Sequence, residues 1–237
     1  MELMRLQKFL SMAGVCSRRH GEKHITNGDV KVNGNVVTQL GTKIDPKKDR
    51  VEVKGRYIEF KQDLVYIALN KPRGYVTSCK QPGDKIVLDL LDISMRVYPI
   101  GRLDKDSTGL LLLTNDGGLH HRLSHPSFDH EKEYEVTVAN PMTDRALMKI
   151  EQGMPIMGTK TRPAETKRIS PKRFRIVLKE GKNRQIRRMV EKTGNRVTRL
   201  NRIRVANIRL GKLARGTWRH LTEKEKVTLL AQQVKPL

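Results

Sequence analysis

Apolar positions recur along the chain with two periods, and the switches between them mark its elements. In residues 5–14, RLQKFLSMAG, Leu6, Phe9, Leu10 and Ala13 fall at i, i+3, i+4 and i+7, one face of a helix, and Gly14 supplies a C-terminal stop. Ser17 is placed to cap a second helix through about Thr26, closed by Asn27-Gly28. VKVNGNVV then alternates around Asn33-Gly34, a type I′ hairpin signal. After a turn containing Pro46, RVEVKGRYI predicts one further strand. The first 60 residues therefore read as helix, helix, hairpin, strand, and KQDLV at 61–65 as a linker.

Beyond it the pattern changes. LVYIALNKP reads as a buried strand ending at Lys71-Pro72, with a turn at Arg73-Gly74. Residues 75–100 are mixed, with a short helix expected near 86–92. The LLLLT run between Gly109 and Asn115-Asp116-Gly117 has the signature of a central strand, buried on both faces. A short helix is expected at 118–124, a strand at KEYEVTV, a helix in PMTDRALMKIEQG capped by Thr143 or Asp144, and a strand at FRIVLKEG. NRQIRRMVEKTG predicts a basic helix with Ile186, Met189 and Val190 inward, and the remainder to about 221 is strand-like and very basic.

Composition sharpens this outline. The 237 residues carry 48 Lys+Arg against 25 Asp+Glu, a formal net charge of +23, which points to a polyanionic partner, nucleic acid first. The excess is uneven: residues 171–220 hold 17 basic side chains against 2 acidic ones, whereas the middle of the chain is nearly neutral. No stretch approaches the roughly 20 apolar residues of a bilayer span, and the charged N-terminus lacks the apolar core of a signal peptide. Cys16 and Cys79 are isolated in sequence and provide neither a disulfide framework nor a Cys-rich zinc site, which fits a reduced, cytoplasmic setting. His120, His121, His125 and His130 match none of the strong zinc spacings, so no metal is expected. Lys182 in GKNR lacks the rest of a phosphate loop, and Trp218 is expected to pack rather than to stack on a base.

The segment GRLDKDSTGL, 101–110, joins polar groups to the central strand. A strand end holding Arg102 and Asp104 beside a buried run could desolvate a carboxylate and supply it with a guanidinium partner. By itself, Asp ahead of Ser-Thr-Gly is more often a turn former.

Two resemblances give these residues roles. The N-terminal motifs RLQKFL, CSRR and GDVKVNG resemble the small RNA-binding domain named after the fourth small-subunit ribosomal protein. The resemblance implies phosphate contacts from Arg5, Lys8, Arg18, Arg19 and Lys31. The blocks LNKPRG (69–74), PIGRLD (99–104), GLLLLTNDG (109–117), KEYEV (132–136) and GKNRQIRRM (181–189) resemble, in order, the pseudouridine synthases of the RsuA/RluB/RluE/RluF family, and DKDSTGL (104–110), DHEKEY (129–134) and GMPIMGT (153–159) resemble most its RluF large-subunit subgroup. The resemblance implies an α+β chain: an RNA-binding domain at 1–62 and a catalytic domain at 63–237 with a mixed, mostly antiparallel sheet. It implies isomerisation of a uridine in rRNA, 23S rather than 16S, without cofactor or metal, by a monomer needing no obligate protein partner.

Asp104 matches the family's essential aspartate, either as nucleophile at C1′ or as base toward a ribose proton; Asp106 is its rival by proximity. Tyr134 matches the active-site tyrosine, Arg187 the basic residue that pairs with the aspartate, Ile186 an apolar position at the base pocket, and Arg102 the residue that fills the stack when the base is extruded. Lys71 and Arg73 are expected to touch RNA near the cleft, and Arg184 and Arg188 to hold phosphates. The competing class is a non-catalytic rRNA-binding or assembly factor. Joint possession of Asp104, Tyr134 and Arg187 argues against it.

Overall fold

The computed structural model describes residues 3–60, 63–124 and 129–231. The chain divides into two compact units. One comprises Met1–Leu64 with the short pieces Ser94–Arg96 and Asn115–Gly117, and the other comprises Val65–Ile93, Val97–Thr114 and Gly118–Leu237.

In the first unit, β1 (Met4–Arg5) leads into α1 (Leu6–Met12), and α2 (Arg18–Thr26) follows, its first turn capped by the Ser17 hydroxyl accepting from the His20 amide at 3.2 Å. The strands β2 (Val30–Val32) and β3 (Asn35–Val36) form the expected hairpin, with Asn33 and Gly34 both at positive φ as a type I′ turn requires. β4 (Lys43–Ile44) returns to pair with β1, a pairing that periodicity did not reveal. RVEVKGRYI is two strands, β5 (Val51–Val53) and β6 (Arg56–Tyr57), and not one. Lys54 and Gly55 at positive φ fold it back as a second tight hairpin. Leu6, Phe9, Leu10, Cys16, Ile25, Val30, Ile44, Val51 and Val53 close a small core. It leaves Arg5, Arg18, Arg19 and Lys31 exposed and Lys8 half-buried.

The second unit is built on one large mixed sheet. Its elements are β7 (Tyr66–Lys71), a 3-10 turn at Val87–Leu90 where a short helix was expected, β8 (Tyr98–Ile100), β9 (Thr108–Thr114), α3 (Gly117–Ser124) and β10 (Lys132–Val138). There follow α4 (Asp144–Glu151), β11 (Pro155–Ile156), β12 (Thr159–Lys160), β13 (Glu165–Ser170), β14 (Arg173–Leu178) and α5 (Gln185–Glu191). β15 (Val197–Val205), β16 (Ile208–Arg209), β17 (Trp218–His220) and α6 (Glu223–Ala231) complete it, and α6 was not anticipated. Of the two candidate caps for α4, Thr143 accepts from the Ala146 amide at 3.2 Å.

The sheet order is β13-β14-β10-β15-β9-β7-β17, with β8 also on β9 and β16 on β15. β7 and β9 are buried on both faces. Tyr66, Ala68, Leu110 and Leu112 feed one core, and Ile67, Leu69, Leu111 and Leu113 the other. This is why both strands read as unbroken apolar runs. A third core lies under α4 and α5, where Ile150, Ile186, Met189 and Val190 meet Val136, Phe174, Ile176 and Leu200. Trp218 packs beside the β7/β9 core, as expected.

Among the described residues the strand pairs are antiparallel except β9 with β15, which touch in parallel at two positions, Thr108 opposite Asn201 and Gly109 opposite Arg202. Beyond those positions the same edge of β9 is taken by β8. The two halves of the sheet are thus joined at the residues that immediately follow Asp104–Ser107. Gly109 makes the junction possible: its φ is +103°, and a Cβ there would lie 2.2 Å from the Arg202 carbonyl oxygen.

Candidate active site

The turn carrying Asp104 is held from three directions. The Thr77 hydroxyl donates to the Leu103 carbonyl at 2.8 Å and accepts from the Leu103 amide at 3.2 Å. The Gly74 amide donates to the Lys105 carbonyl at 2.8 Å. From beneath, the Lys71 ammonium donates to the carbonyls of Pro72, Asp104 and Ser107 at 3.1, 3.0 and 2.9 Å.

Lys71 was expected on the RNA-facing surface, and the structure corrects this: its relative exposure is 0 %. The reason lies in the strand. Lys71 is the last residue of β7, a strand buried along its whole length, and its side chain meets the carbonyls of the turn, which replace water as acceptors. Burial pushes its pKa down to about 8, against the opposing pull of Asp106 and Asp104, and neighbouring Arg202 lowers it further. Nothing in the dipeptide Lys71-Pro72 distinguished a buried anchor from a surface residue.

Asp104, half-buried, lines a cleft whose other walls are Arg102, Leu103, Ser107, Tyr134, Leu178, Glu180, Gly181, Lys182, Arg184, Gln185, Ile186 and Leu200. Its empty volume is about 500 Å³, open to solvent. Tyr134 comes from β10, Ile186 from the first turn of α5, and Asp104 from the turn before β9, so three separate sequence blocks converge there. Arg102 is exposed at the same cleft.

The guanidinium beside Asp104 is not the one expected. Arg187 is 7 % exposed, and its Nη2 lies 3.0 Å from Asp106 Oδ2 and 3.4 Å from Ser107 Oγ, while Nη1 donates to the Val197 carbonyl at 3.4 Å. Arg184 reaches Asp104 instead, with Nη1 3.6 Å from Asp104 Oδ2 and 3.5 Å from Asp106 Oδ1. The difference follows from position on α5. Arg187, a turn into the helix, points into the protein, where Asp106 and Ser107 complete its surroundings. Arg184 at the N-cap adopts φ 50°, ψ 34°, a left-handed conformation that is costly for a residue with a Cβ. Arg188 ties the preceding turn by donating to the Asn183 carbonyl at 3.1 Å.

The structure brings Asp104, Tyr134, Ile186 and Arg102 into one cleft, and it places Arg187, expected beside Asp104, against Asp106. The sequence pattern did not mark Thr77 and Lys71 as supports of the turn. It also missed Arg202, a buried arginine whose Nε donates to the Leu110 carbonyl at 2.7 Å across the parallel junction. Arg73 is exposed and shares cavity walls with Asp106. Of the four histidines between 120 and 130, His125 falls outside the described residues, and His120 stands edge-on to Tyr98 at 5.2 Å.

This fold and cleft define an RNA-modifying enzyme class: the chain belongs to the RNA pseudouridylate synthase family, whose model matches residues 65–192, and an S4 domain matches residues 4–51. It is an RNA pseudouridine synthase with an appended RNA-binding domain. Among its relatives is the dual-specificity RNA pseudouridine synthase RluF of Escherichia coli K12, 43 % identical over 241 residues, which cover 98 % of this chain and 82 % of that protein. Another is ribosomal large subunit pseudouridine synthase B of Bacillus subtilis, 42 % identical over 229 residues covering 93 % of each. A solved pseudouridylate synthase superposes with a TM-score of 0.71 at 30 % identity, covering 95 % of this chain and 99 % of that one. No helix among the described residues is long and apolar enough to cross a membrane.

Proposed function

We propose that this enzyme isomerises a uridine of ribosomal RNA, in the large subunit, to pseudouridine, with Asp104 as the essential carboxylate. The observation that carries the reading is the placement of a half-buried aspartate, on a turn anchored from three sides, in the same cleft as Tyr134 and Ile186. The reaction breaks the N1–C1′ bond, turns the uracil, forms C5–C1′, moves the C5 proton off and protonates N1, with no net change in atoms or electrons. It calls for no cofactor or metal. Asp104 has the chemistry for either opening step, attack on C1′ or removal of a ribose proton.

Tyr134 stacks on the extruded base and takes part in removing the C5 proton. Ile186 and Leu178 bound the ring, and Arg102 fills the vacated stack, offsetting part of an extrusion cost of a few kcal/mol. Arg184, whose Nη1 lies 3.6 Å from Asp104 Oδ2, orients that carboxylate, and Arg187 is a positioning residue acting through Asp106 and Ser107. Arg5, Lys8, Arg18, Arg19 and Lys31 hold RNA phosphates in a domain spanning about 1–62, and the catalytic domain follows from 63. We place the enzyme in the cytoplasm, acting as a monomer on rRNA.

The test is Asp104→Asn. Chemical mapping of pseudouridine in rRNA incubated with this variant should find no conversion, while RNA affinity stays within a few fold of wild type. Retained turnover would remove Asp104 from the reaction. A wild-type protein that binds rRNA and converts no uridine would favour a binding factor instead.

A further inference from the structure

Next to the base cleft lies a second cavity, bounded by Arg73, Gly74, Asp104, Lys105, Asp106 and Arg184, and beyond it a third, bounded by Arg73, Asp106, Thr108, Thr198, Arg199, Leu200 and Arg215. The first two share Asp104 and Arg184, and the last two share Arg73 and Asp106. The three cavities thus follow one another along the Asp104–Asp106 turn, each sharing walls with the next, as a trough past Asp104.

The third cavity is cationic by construction. Arg73 comes from the turn after β7, Arg199 from β15 and Arg215 from the loop before β17, and all three are exposed. None of them makes an ion pair or side-chain hydrogen bond with another described residue. The single acid in the wall, Asp106, is already engaged by Arg187 at 3.0 Å and Arg184 at 3.5 Å. The wall hydroxyls are also committed: Thr108 donates to the Leu200 carbonyl and Asn201, and Thr198 to the Thr137 carbonyl. Three guanidinium groups around one cavity repel one another unless an anion lies between them, and guanidinium forks suit phosphate oxygens.

The geometry points to a phosphate subsite: Arg73, Arg199 and Arg215 grip a backbone phosphodiester of the RNA strand next to the nucleotide whose base enters the Tyr134 cleft. This rests on the reading of the cleft as a uridine site and adds to it the path of the strand. A clamp whose cavity is walled by Asp106, two residues along from Asp104 in the same turn, would fix the ribose that Asp104 must meet, so its binding energy would act on orientation at C1′.

The experiment compares full-length wild type, R73Q/R199Q/R215Q and its single substitutions with a charge-matched control, R145Q/K149Q/K172Q. The control positions lie on α4 and the β13–β14 turn, away from the trough. Affinity for a 12-nucleotide oligouridylate is measured from 50 to 300 mM KCl, and conversion of an rRNA transcript is followed in parallel. The triple variant is expected to bind about tenfold more weakly. Its log K against log salt slope should be shallower by about 0.7, one single-strand phosphate's worth. The control should weaken binding less than threefold with its slope unchanged.

Equal weakening in triple variant and control would mean diffuse attraction and would overturn the subsite. So would an unaltered triple variant. Inorganic phosphate at matched ionic strength should displace the oligonucleotide no better than chloride. Displacement at millimolar phosphate would make the cavity a free-phosphate site and reject the strand clamp. A wild type that converts no uridine counts against the functional reading, and the affinity comparison still decides the subsite. The single variants R199Q and R215Q keep the test intact if the triple variant fails to fold.

Discussion

At the residue scale the most informative position is Lys71. A lysine with no exposed surface is held by two carbonyls of the turn it supports and by that of Pro72, and burial has pulled its pKa down to about 8. The unfolded chain keeps that proton to about pH 10.4. Between pH 8 and 10.4 the unfolded state therefore binds more protons at this site, and the Lys71 contribution makes stability rise with pH across that window. Denaturant titrations of wild type and Lys71→Met should differ accordingly, with the variant lacking that upward slope. The variant leaves carbonyls inside the protein without their donor but also removes a buried charge at pH 7, so its stability deficit relative to wild type should be larger at pH 9 than at pH 7. Oligouridylate affinity of the folded variant should stay near wild type, whereas a surface phosphate ligand would predict the reverse. Gly109 gives a second residue-scale test. A methyl group 2.2 Å from the Arg202 carbonyl cannot be absorbed by a flexible side chain, because the obstacle is backbone. Gly109→Ala should lower stability by at least about 2 kcal/mol, measured by thermal unfolding.

At the element scale, α5 carries the divergence between expectation and structure. The spacing of Ile186, Met189 and Val190 correctly predicted an inward face. Helical periodicity also puts Arg187 beside Ile186, close to that face, and the side chain is buried with it. Arg184 projects instead from the N-cap, and its left-handed backbone is the local cost of aiming a guanidinium at two carboxylates. Substituting Gly there should relieve that cost, and substituting Ala should not. Arg184→Gly is expected to be more stable than Arg184→Ala by about 1 kcal/mol in denaturant melts. Both should turn over at least tenfold more slowly, since each removes the cation beside Asp104. Equal stability of the two would mean that the αL conformation relaxes once the arginine is gone.

At the scale of the whole molecule, the charge of +23 overstates the surface offered to RNA. In the basic stretch 171–220, Arg187 and Arg202 are buried. Arg204 pairs with Glu131 and Glu133, Arg175 and Arg173 with Glu135, and Arg219 with Glu225. Buried or paired with carboxylates of the protein itself, these cations contribute less to counterion release than their number suggests. The N-terminal unit differs, because Arg5, Arg18, Arg19 and Lys31 are exposed and none pairs with a described carboxylate. R5Q/R18Q/R19Q/K31Q should therefore weaken rRNA binding and flatten its salt dependence by roughly 0.7 to 0.9 for each phosphate no longer neutralised. An unchanged salt slope would mean that this face does not meet the RNA.

The two helices of the first unit, its Asn33-Gly34 hairpin, the doubly buried β9 and the inward face of α5 were all legible in the sequence, as was the gathering of Asp104, Tyr134 and Ile186 that the family motifs implied. Periodicity, caps and turn residues act over a few positions, so their physics is written locally. Tertiary structure alone decided that Lys71 is an anchor and not an RNA ligand, that Arg184 rather than Arg187 faces Asp104, and that Arg73, Arg199 and Arg215 surround one cavity. Each of those outcomes depends on which distant backbone lies within hydrogen-bonding reach of a long cationic side chain. A lysine or arginine has the same local signature whether it ends among carbonyls, carboxylates or water.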